Sequence, residues 1–103
     1  METKAAITML AALAQESRLA IFRRLIEAGA EGLSAGRIAE DLGVPPATLS
    51  FHLKELNHAG LAQSRQEGRF VIYSADFAAM GNLLGYLTEN CCGGDFCLPV
   101  CKP

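Results

Sequence analysis

Four cysteines lie within residues 91–103, and the rest of the 103-residue chain contains none. They are Cys91, Cys92, Cys97 and Cys101, interspersed with Gly93, Gly94 and Pro99. Thiolates are soft ligands that select soft ions, and neighbouring thiols also form and exchange disulfides. Thiols so close together on a segment with glycine and proline are unsuited to filling a core. The pattern therefore predicts a site for one soft ion or a redox-active thiol cluster.

The adjacent pair of cysteines favours a three-coordinate metalloid. Trivalent arsenic or antimony takes three thiolates in a pyramid. Cys91 and Cys92 can supply two of them if a third cysteine folds back at Gly93-Gly94, where glycine permits a positive φ. Cys97 is the nearer third ligand and Cys101 the alternative. A tetrahedral zinc, cadmium or lead site and disulfide-based redox sensing stay open, although zinc more often binds Cys-x-x-Cys pairs.

The spacing of hydrophobic residues predicts that most of this chain is helical. Apolar residues at helical intervals indicate four consecutive helices. Two short strands follow, over residues 61–66 and 69–74, joined around Glu67-Gly68. A last helix is expected from Asp76 to about Asn90. We therefore predict a mainly α fold with a small β-hairpin, in the order α-α-α-α-β-β-α, with one domain over residues 1–90 and a cysteine-rich tail over residues 91–103.

The first helix carries more apolar surface than one core needs. The first is apolar on more than one side, which suits contact with both a core and a second subunit. The second is expected over residues 16–28, ended by Gly29 as a C-cap. Its predicted inward side chains are Leu19, Phe22, Leu25 and Ile26.

Residues 34–58 have the pattern of a helix-turn-helix, with a break at Gly43-Val44-Pro45 between two helices. In such a unit the second helix enters the major groove, and its N-terminal residues meet base edges. The candidates there are Thr48, Ser50, Phe51, His52 and Lys54. We expect four side chains of this helix to face away from its leucines, namely Thr48, Phe51, His52 and Glu55. An αα-hairpin that serves only as a scaffold has the same pattern.

The hairpin that follows has the position of a wing. Arg65 and Arg69 flank its predicted tip and can contact phosphate. The net charge of the chain is -2, and residues 34–73 carry as many acidic as basic side chains. The prediction of DNA binding therefore depends on the order of the elements rather than on charge.

Other classes of protein lack support in this sequence. It has no paired carboxylates, Ser-His-Asp set or phosphate-binding glycine loop, so we do not expect an enzyme. A thiol–disulfide exchange module is the alternative from another class, but its Cys-x-x-Cys motif is missing. An apolar run of about 20 residues and a signal-peptide pattern are also missing. We therefore expect a cytoplasmic protein with reduced thiols and no membrane partner.

The middle of the chain resembles the DNA-binding core of the ArsR/SmtB-type winged-helix metalloregulators. The resemblance is carried by GLSAGRIAEDLGVPPATLSFHLKELNHAGLAQSRQEGRFVIYS, and most specifically by its blocks TLSFHLKEL..AGL and EGR..IY. The preceding ALAQESRLAIFRRL resembles the junction of the family's first two helices. The resemblance implies a winged helix-turn-helix repressor that binds a palindromic operator in double-stranded DNA as a homodimer, with the first and last helices at the dimer interface. It also implies DNA contacts from Thr48, Ser50, His52 and Arg69, with Arg65 on phosphate.

The resemblance also bears on the inducer. Many members bind it through a Cys-x-Cys pair at positions that Ser34 and Gly36 hold here. Others use Asp and His pairs on the last helix, but here that helix has Asp76 and no histidine. The family's two common metal sites are therefore not expected in this chain.

Some arsenic-responsive members instead carry a vicinal C-terminal cysteine pair with one further cysteine. Cys91 and Cys92, with Cys97 or Cys101, match that pattern. The resemblance thus implies a repressor that leaves its operator when trivalent arsenic or antimony binds the tail. A redox-sensing repressor and a zinc-, cadmium- or lead-responsive repressor of the same fold are the alternatives.

Overall fold

The computed structural model describes residues 1–94 of the chain. The elements in this part are α1 Thr3–Leu13, α2 Glu16–Ala28, β1 Leu33–Ser34, α3 Ala35–Leu42, α4 Pro46–His58, β2 Ala62–Glu67, β3 Phe70–Ala75 and α5 Phe77–Leu87. Short 3-10 turns lie at Gly29–Glu31 and Cys91–Gly94. The predicted order of four helices, a hairpin and a last helix is confirmed, and β1 is an additional strand.

Local signals set the ends of α3 and α4 where the sequence predicts them. The Ser34 hydroxyl accepts a hydrogen bond of 3.2 Å from a backbone N–H in the first turn of α3, which satisfies a donor that the helix leaves unpaired. Gly43 ends α3 with a left-handed φ of 63°. Pro46 is the first residue of α4, where its missing N–H costs nothing.

The three strands form one antiparallel sheet in the order β1-β3-β2. β2 and β3 pair from Ala62↔Ala75 to Glu67↔Phe70, which leaves a two-residue turn at Gly68-Arg69. Both strands begin and end one residue later than predicted. β1 contributes only two residues to the sheet, too few to show the alternation from which a strand can be predicted.

Gly32 lets β1 lie close to β3. Its φ is 70°, and a Cβ at this position would overlap the Tyr73 backbone carbonyl. Only glycine combines that conformation with that approach at low cost. The segment directly before the helix-turn-helix is therefore paired with strand β3 of the wing.

One hydrophobic core joins the helices to the sheet. Its fully buried large side chains are Ile21, Leu25, Ile38, Leu49, Leu53, Leu56, Leu61 and Leu83. The prediction for α2 is wrong in part, because Leu19 and Ile26 are exposed while Phe22 and Leu25 are buried. Leu19 and Ile26 are seven residues apart and share a stripe about a quarter turn away from the buried side.

α1 and α5 present an outward apolar surface in addition to their core contacts. Ala6 and Met9 of α1 are buried, and so is Leu83 of α5. The large exposed side chains of these two helices are Ile7, Leu10, Phe77, Leu84 and Leu87, and we call them the α1–α5 surface. Thr3 Oγ1 and Tyr86 Oη share a hydrogen bond of 2.6 Å that connects the two helices.

No single helix within residues 1–94 has the length and apolar content needed to cross a bilayer. Only α1 combined with α2 and the turn after it meets that requirement, and the two parts are bent by 101°.

Asp41 at the end of α3 joins the helix-turn-helix to α2. Its carboxylate is 3.0 Å from an Arg24 guanidinium nitrogen and 3.1 Å from Arg37 Nε. Desolvation alone raises the pKa of Asp41, but the hydrogen bonds and charges of Arg37 and Arg24 outweigh it and hold the pKa below 3.8. The three side chains form a bridge that fixes α3 against α2.

Candidate nucleic-acid interface and thiol site

α4 has one buried side and one outward side. Leu49, Leu53 and Leu56 are buried and hold the helix on the core. The opposite stripe is exposed and reads Ala47, Phe51, Lys54 and His58, spaced by four, three and four residues along one face. Thr48 and Ser50 are exposed on either side of it. Four of the five candidates predicted on this helix therefore lie where a nucleic acid can reach them.

His52 is the exception, and its predicted placement is wrong. Its side chain is only 7% exposed and lies among the leucines instead of opposite them. The reason is helical spacing, since His52 is three residues after Leu49 and four before Leu56, and residues at these intervals share a face. Its Nδ1 atom is buried and has no hydrogen-bond partner within the described part of the chain. In this position the imidazole lies toward the core and not on the outward side of α4.

Phe51, the residue before His52, lies on the outward side of α4. Its ring is 55% exposed, although it lies on the helix that carries the buried leucines. It meets the His52 ring at 60° with 5.6 Å between the centroids, a favourable edge-to-face arrangement. Phe51 therefore presents a fixed aromatic face between Ala47 and Lys54.

A polar cleft separates α4 from the wing. It has a volume of about 450 Å³. Its lining from α4 is Ser50, Leu53, Lys54, Asn57 and His58, and its lining from the sheet is Ser64 and Tyr73. Ser64 and Tyr73 are partners in the β2–β3 register. The sequence analysis did not predict that Asn57, Ser64 and Tyr73 line this cleft. The pairing of Ser64 with Tyr73 across the hairpin is the signal that could have indicated the last two.

The two wing arginines have different roles in the structure. Arg65 Nε donates to Glu67 Oε2, and its terminal nitrogens donate to the backbone carbonyls of Ala30 and Glu31. These bonds attach β2 to the turn that follows α2. Arg69 lies at the tip, is exposed, and makes no hydrogen bond or ion pair with the rest of residues 1–94. Arg69 is therefore available to a phosphate, whereas Arg65 is occupied by the protein itself.

The first two cysteines lie in a tight turn after α5. Cys91 Sγ and Cys92 Sγ are 3.5 Å apart. Asn90, Cys92 and Gly93 have left-handed φ angles of 58°, 55° and 72°. Left-handed backbone is uncommon for residues other than glycine, and the predicted positive φ at Gly93 is confirmed. The turn brings two sulfur atoms together at the end of the last helix.

The other two predicted ligands, Cys97 and Cys101, lie outside the described residues. Within residues 1–94 no group of three or more histidine, cysteine or acidic side chains is arranged to hold a metal ion. Two thiolates that bind one ion at about 2.3 Å, the zinc–thiolate distance, lie within about 4.6 Å of each other. The separation of 3.5 Å between Cys91 and Cys92 fits two ligands of one ion.

A helix-turn-helix with an exposed recognition face, followed by a hairpin with a cation at its tip, defines a winged helix-turn-helix domain. The chain matches the helix-turn-helix domain family over residues 13–65. It is 45% identical over 58 residues to YceK of Bacillus subtilis, an uncharacterised HTH-type transcriptional regulator, and this match covers 56% of the chain and 57% of YceK. The chain thus spans little more than half of that curated relative.

Solved structures of transcriptional regulators share the fold. An ArsR-like regulator from Rhodococcus sp. RHA1 superposes with a TM-score of 0.75 and 29% identity, over 84% of this chain and 78% of that one. HlyU from Vibrio cholerae has a TM-score of 0.66 and 34% identity, over 84% and 97%. The homodimeric winged helix-turn-helix domain of Mb0332 from Mycobacterium bovis has a TM-score of 0.67 and 26% identity, over 84% and 81%.

The chain therefore belongs to the helix-turn-helix domain family, and it is similar to HlyU and to ArsR-like transcriptional regulators with the winged-helix fold. These relatives are regulators and not enzymes, in agreement with the prediction from sequence.

Proposed function

We propose that this regulator is a cytoplasmic, homodimeric repressor that leaves its operator when trivalent arsenic or antimony binds thiolates at the end of α5. The exposed face of α4 carries the DNA-binding part of this proposal. Hydroxyls from Thr48 and Ser50, the Lys54 ammonium and the Arg69 guanidinium are all accessible, and these groups bind bases and phosphates. We infer that Arg69, at the tip of the wing, lies beside the duplex when α4 enters the major groove.

The α1–α5 surface supports a dimer. Its five large apolar side chains are exposed, and contact with a second subunit would remove them from water. Mb0332, which has the same fold, is homodimeric. A twofold dimer presents two copies of α4 to two half-sites about one helical turn apart, so the operator is expected to be palindromic.

The thiol pair after α5 supports the inducer site. Cys91 and Cys92 supply two soft ligands at a separation that suits one ion. A third thiolate from Cys97 or Cys101 completes the pyramid that trivalent arsenic or antimony prefers. The pair follows directly on α5, which also carries part of the proposed dimer surface. Ion binding there can therefore change the spacing or mobility of the two α4 helices.

The coupling has a thermodynamic consequence that can be measured. Allosteric couplings are typically about 1–3 kcal/mol, which lowers operator affinity roughly 5- to 150-fold. By linkage, operator DNA weakens inducer binding by the same factor. The ligands are thiolates, so inducer binding releases protons and strengthens as the pH rises toward the thiol pKa of about 8.5.

The test is an operator-release titration. A binding duplex is selected from a random-sequence library, and the fully reduced protein is titrated with arsenite, antimonite, zinc and cadmium. A phosphine reductant is used because thiol reductants compete for arsenic. We expect arsenite and antimonite to release the wild type, and Cys91→Ser and Cys92→Ser to stay bound.

The remaining two cysteines supply the matched control. One of Cys97→Ser and Cys101→Ser should lose the response while the other keeps it, because three thiolates suffice. All four variants should bind the duplex as the wild type does. A reduced wild-type protein that stays on the duplex in the presence of arsenite contradicts the inducer proposal, and failure to select any duplex contradicts the DNA-binding proposal.

A second candidate, a redox-sensing repressor, has one specific observation in its favour. Cys91 Sγ and Cys92 Sγ are 3.5 Å apart, and cysteines that lie close together in a chain form and exchange disulfides when an oxidant is present. In this alternative, peroxide releases the duplex, a reductant restores binding, and arsenite added to the reduced protein has no effect. The titration above separates the two candidates.

A further inference from the structure

Phe51 is an apolar side chain on an otherwise polar recognition surface. It is the one large hydrophobic residue of α4 that is exposed, at 55%. Its neighbours on the outward side are the small Ala47, the hydroxyl of Ser50 and the ammonium of Lys54. Removing a phenyl ring from water is favourable, so a partner that offers apolar contact at this place in the stripe would gain binding free energy.

The surroundings of Phe51 indicate what that partner is. The large exposed apolar residues of α1 and α5 make up the α1–α5 surface, where we propose that a second subunit binds. Phe51 instead lies alone among hydroxyls and a cation, which are the groups that contact phosphates and base edges. The only apolar group that the major groove of DNA displays is the C5-methyl group of thymine.

We propose that Phe51 is a specificity-determining residue that reads thymine methyl groups in the major groove. The proposal rests on the proposed DNA-binding function and names one base contact within it. Ala47, one turn before Phe51, leaves room for the helix to approach the base edges, and Lys54, about one turn after it, can hold a phosphate or a guanine beside the contacted thymine.

His52 acts as the positioning residue for this contact. Its buried ring meets Phe51 edge-on at 5.6 Å between centroids, and its own burial among the leucines fixes it in place. A phenyl ring held in this way loses little conformational freedom when it binds. His52 therefore acts on specificity through Phe51 and does not touch DNA itself.

The test compares thymine with deoxyuridine, which lacks only the methyl group. The full chain is titrated with a selected duplex containing thymine and with the same duplex containing deoxyuridine. We expect the wild type to bind the deoxyuridine duplex roughly fourfold more weakly for each methyl group contacted, the effect of one buried carbon of this size. Phe51→Ala should bind both duplexes equally and with an affinity close to that of the wild type on deoxyuridine.

Two further variants control this comparison. Phe70→Ala removes an exposed phenyl ring, 63% exposed, from the wing, and it should keep the full preference for thymine. Phe51→Leu keeps an apolar contact and should keep part of the preference. Far-UV circular dichroism of all variants checks that the helices are unchanged, which the exposure of Phe51 and Phe70 leads us to expect.

Each outcome decides the proposal. Equal binding of both duplexes by the wild type overturns it. A preference for thymine that survives in Phe51→Ala also overturns it, because another side chain then reads the methyl group. If no duplex is bound at all, the proposed function fails and this inference fails with it, which distinguishes that result from a specific failure of the Phe51 contact.

Discussion

The ring of Phe51 meets the ring of His52 edge-on, at 60° and with 5.6 Å between the ring centroids. Although they are adjacent in sequence, the first is exposed and the second is buried among leucines. The pair thus joins the core of the domain to the surface that we propose faces DNA. Changes to the buried ring are expected to alter recognition without removing a DNA contact.

Two substitutions of His52 distinguish how much its volume and its polar atoms contribute to the stability of the fold. We expect His52→Ala to lower the free energy of unfolding by about 1–3 kcal/mol, because it empties a buried site. His52→Leu should change it little or raise it, because it fills the site and removes the buried Nδ1 that lacks a partner. Urea unfolding of both variants measures the difference. If His52→Leu lowers the free energy of unfolding as much as His52→Ala does, the imidazole stabilises the fold through a polar interaction, although its Nδ1 has no hydrogen-bond partner among residues 1–94.

We expect variants of the two wing arginines to differ in the salt dependence of their DNA binding. Arg69→Ala should weaken binding and reduce the slope of log K against log salt by about 0.9 for each phosphate that the guanidinium neutralises. Arg65→Ala should weaken binding through a less ordered wing while the slope stays close to that of the wild type, because its donors are bonded to Glu67 and to two backbone carbonyls. An equal decrease of the slope in both variants would place Arg65 on phosphate, as the sequence predicts.

Asp41 should give the domain a defined sensitivity to acid. Its pKa is lower in the folded protein than its ordinary value of 3.8, because hydrogen bonds from Arg37 and Arg24 outweigh the desolvation that raises it. A carboxyl with a lowered folded pKa stabilises the fold above its unfolded pKa, and this contribution is lost as the pH falls through the folded value. Asp41→Asn should therefore be less stable than the wild type at pH 7.

The same comparison at low pH provides the check. The difference between wild type and Asp41→Asn should shrink from about pH 4 downward, as measured by urea unfolding at several pH values. Glu40→Gln, a neighbouring exposed carboxylate with no ion pair among residues 1–94, is the matched control and should show little effect at any pH. A difference that persists unchanged below pH 3 would rule out the charge of Asp41 as its cause.

Gly32 should tolerate no side chain. Gly32→Ala should lower the free energy of unfolding by about 2 kcal/mol or more, because it combines a left-handed φ of 70° with overlap on the Tyr73 carbonyl. Gly36→Ala is the control, since a Cβ there meets nothing within 4 Å and the residue lies in α3. That change should be neutral or stabilising by up to about 1 kcal/mol. Similar decreases in stability in both variants would contradict this account.

The helices of the domain are predictable from local signals because each signal acts within a few residues. Ser34, Gly43, Pro46 and Asp76 set their helix ends where expected. β1 is not predictable in this way, since its two residues become a strand only by pairing with residues nearly forty positions later. The one-residue shift of β2 and β3 has the same origin, because their register depends on the turn at Gly68-Arg69 and not on either strand alone.

The site was predictable in its residue types but not in all their roles. Thr48, Ser50 and Lys54 are exposed as expected, since the leucines of α4 fix its outward side. His52 was placed wrongly although its spacing from Leu49 and Leu56 carries the correct signal. The bonds of Arg65 to Ala30 and Glu31 connect residues far apart in sequence, and no local pattern indicates them.

The β2–β3 register also restricts how the wing can vary in length. Side chains alternate between the two faces of the hairpin, and Arg65 reaches the carbonyls of Ala30 and Glu31 from one of them. One residue inserted or deleted between Ala62 and Arg65 would move the arginine to the opposite face of the hairpin and turn the guanidinium away from these carbonyls. Functional homologues with longer or shorter wings should therefore differ by an even number of residues, added in pairs across the two strands.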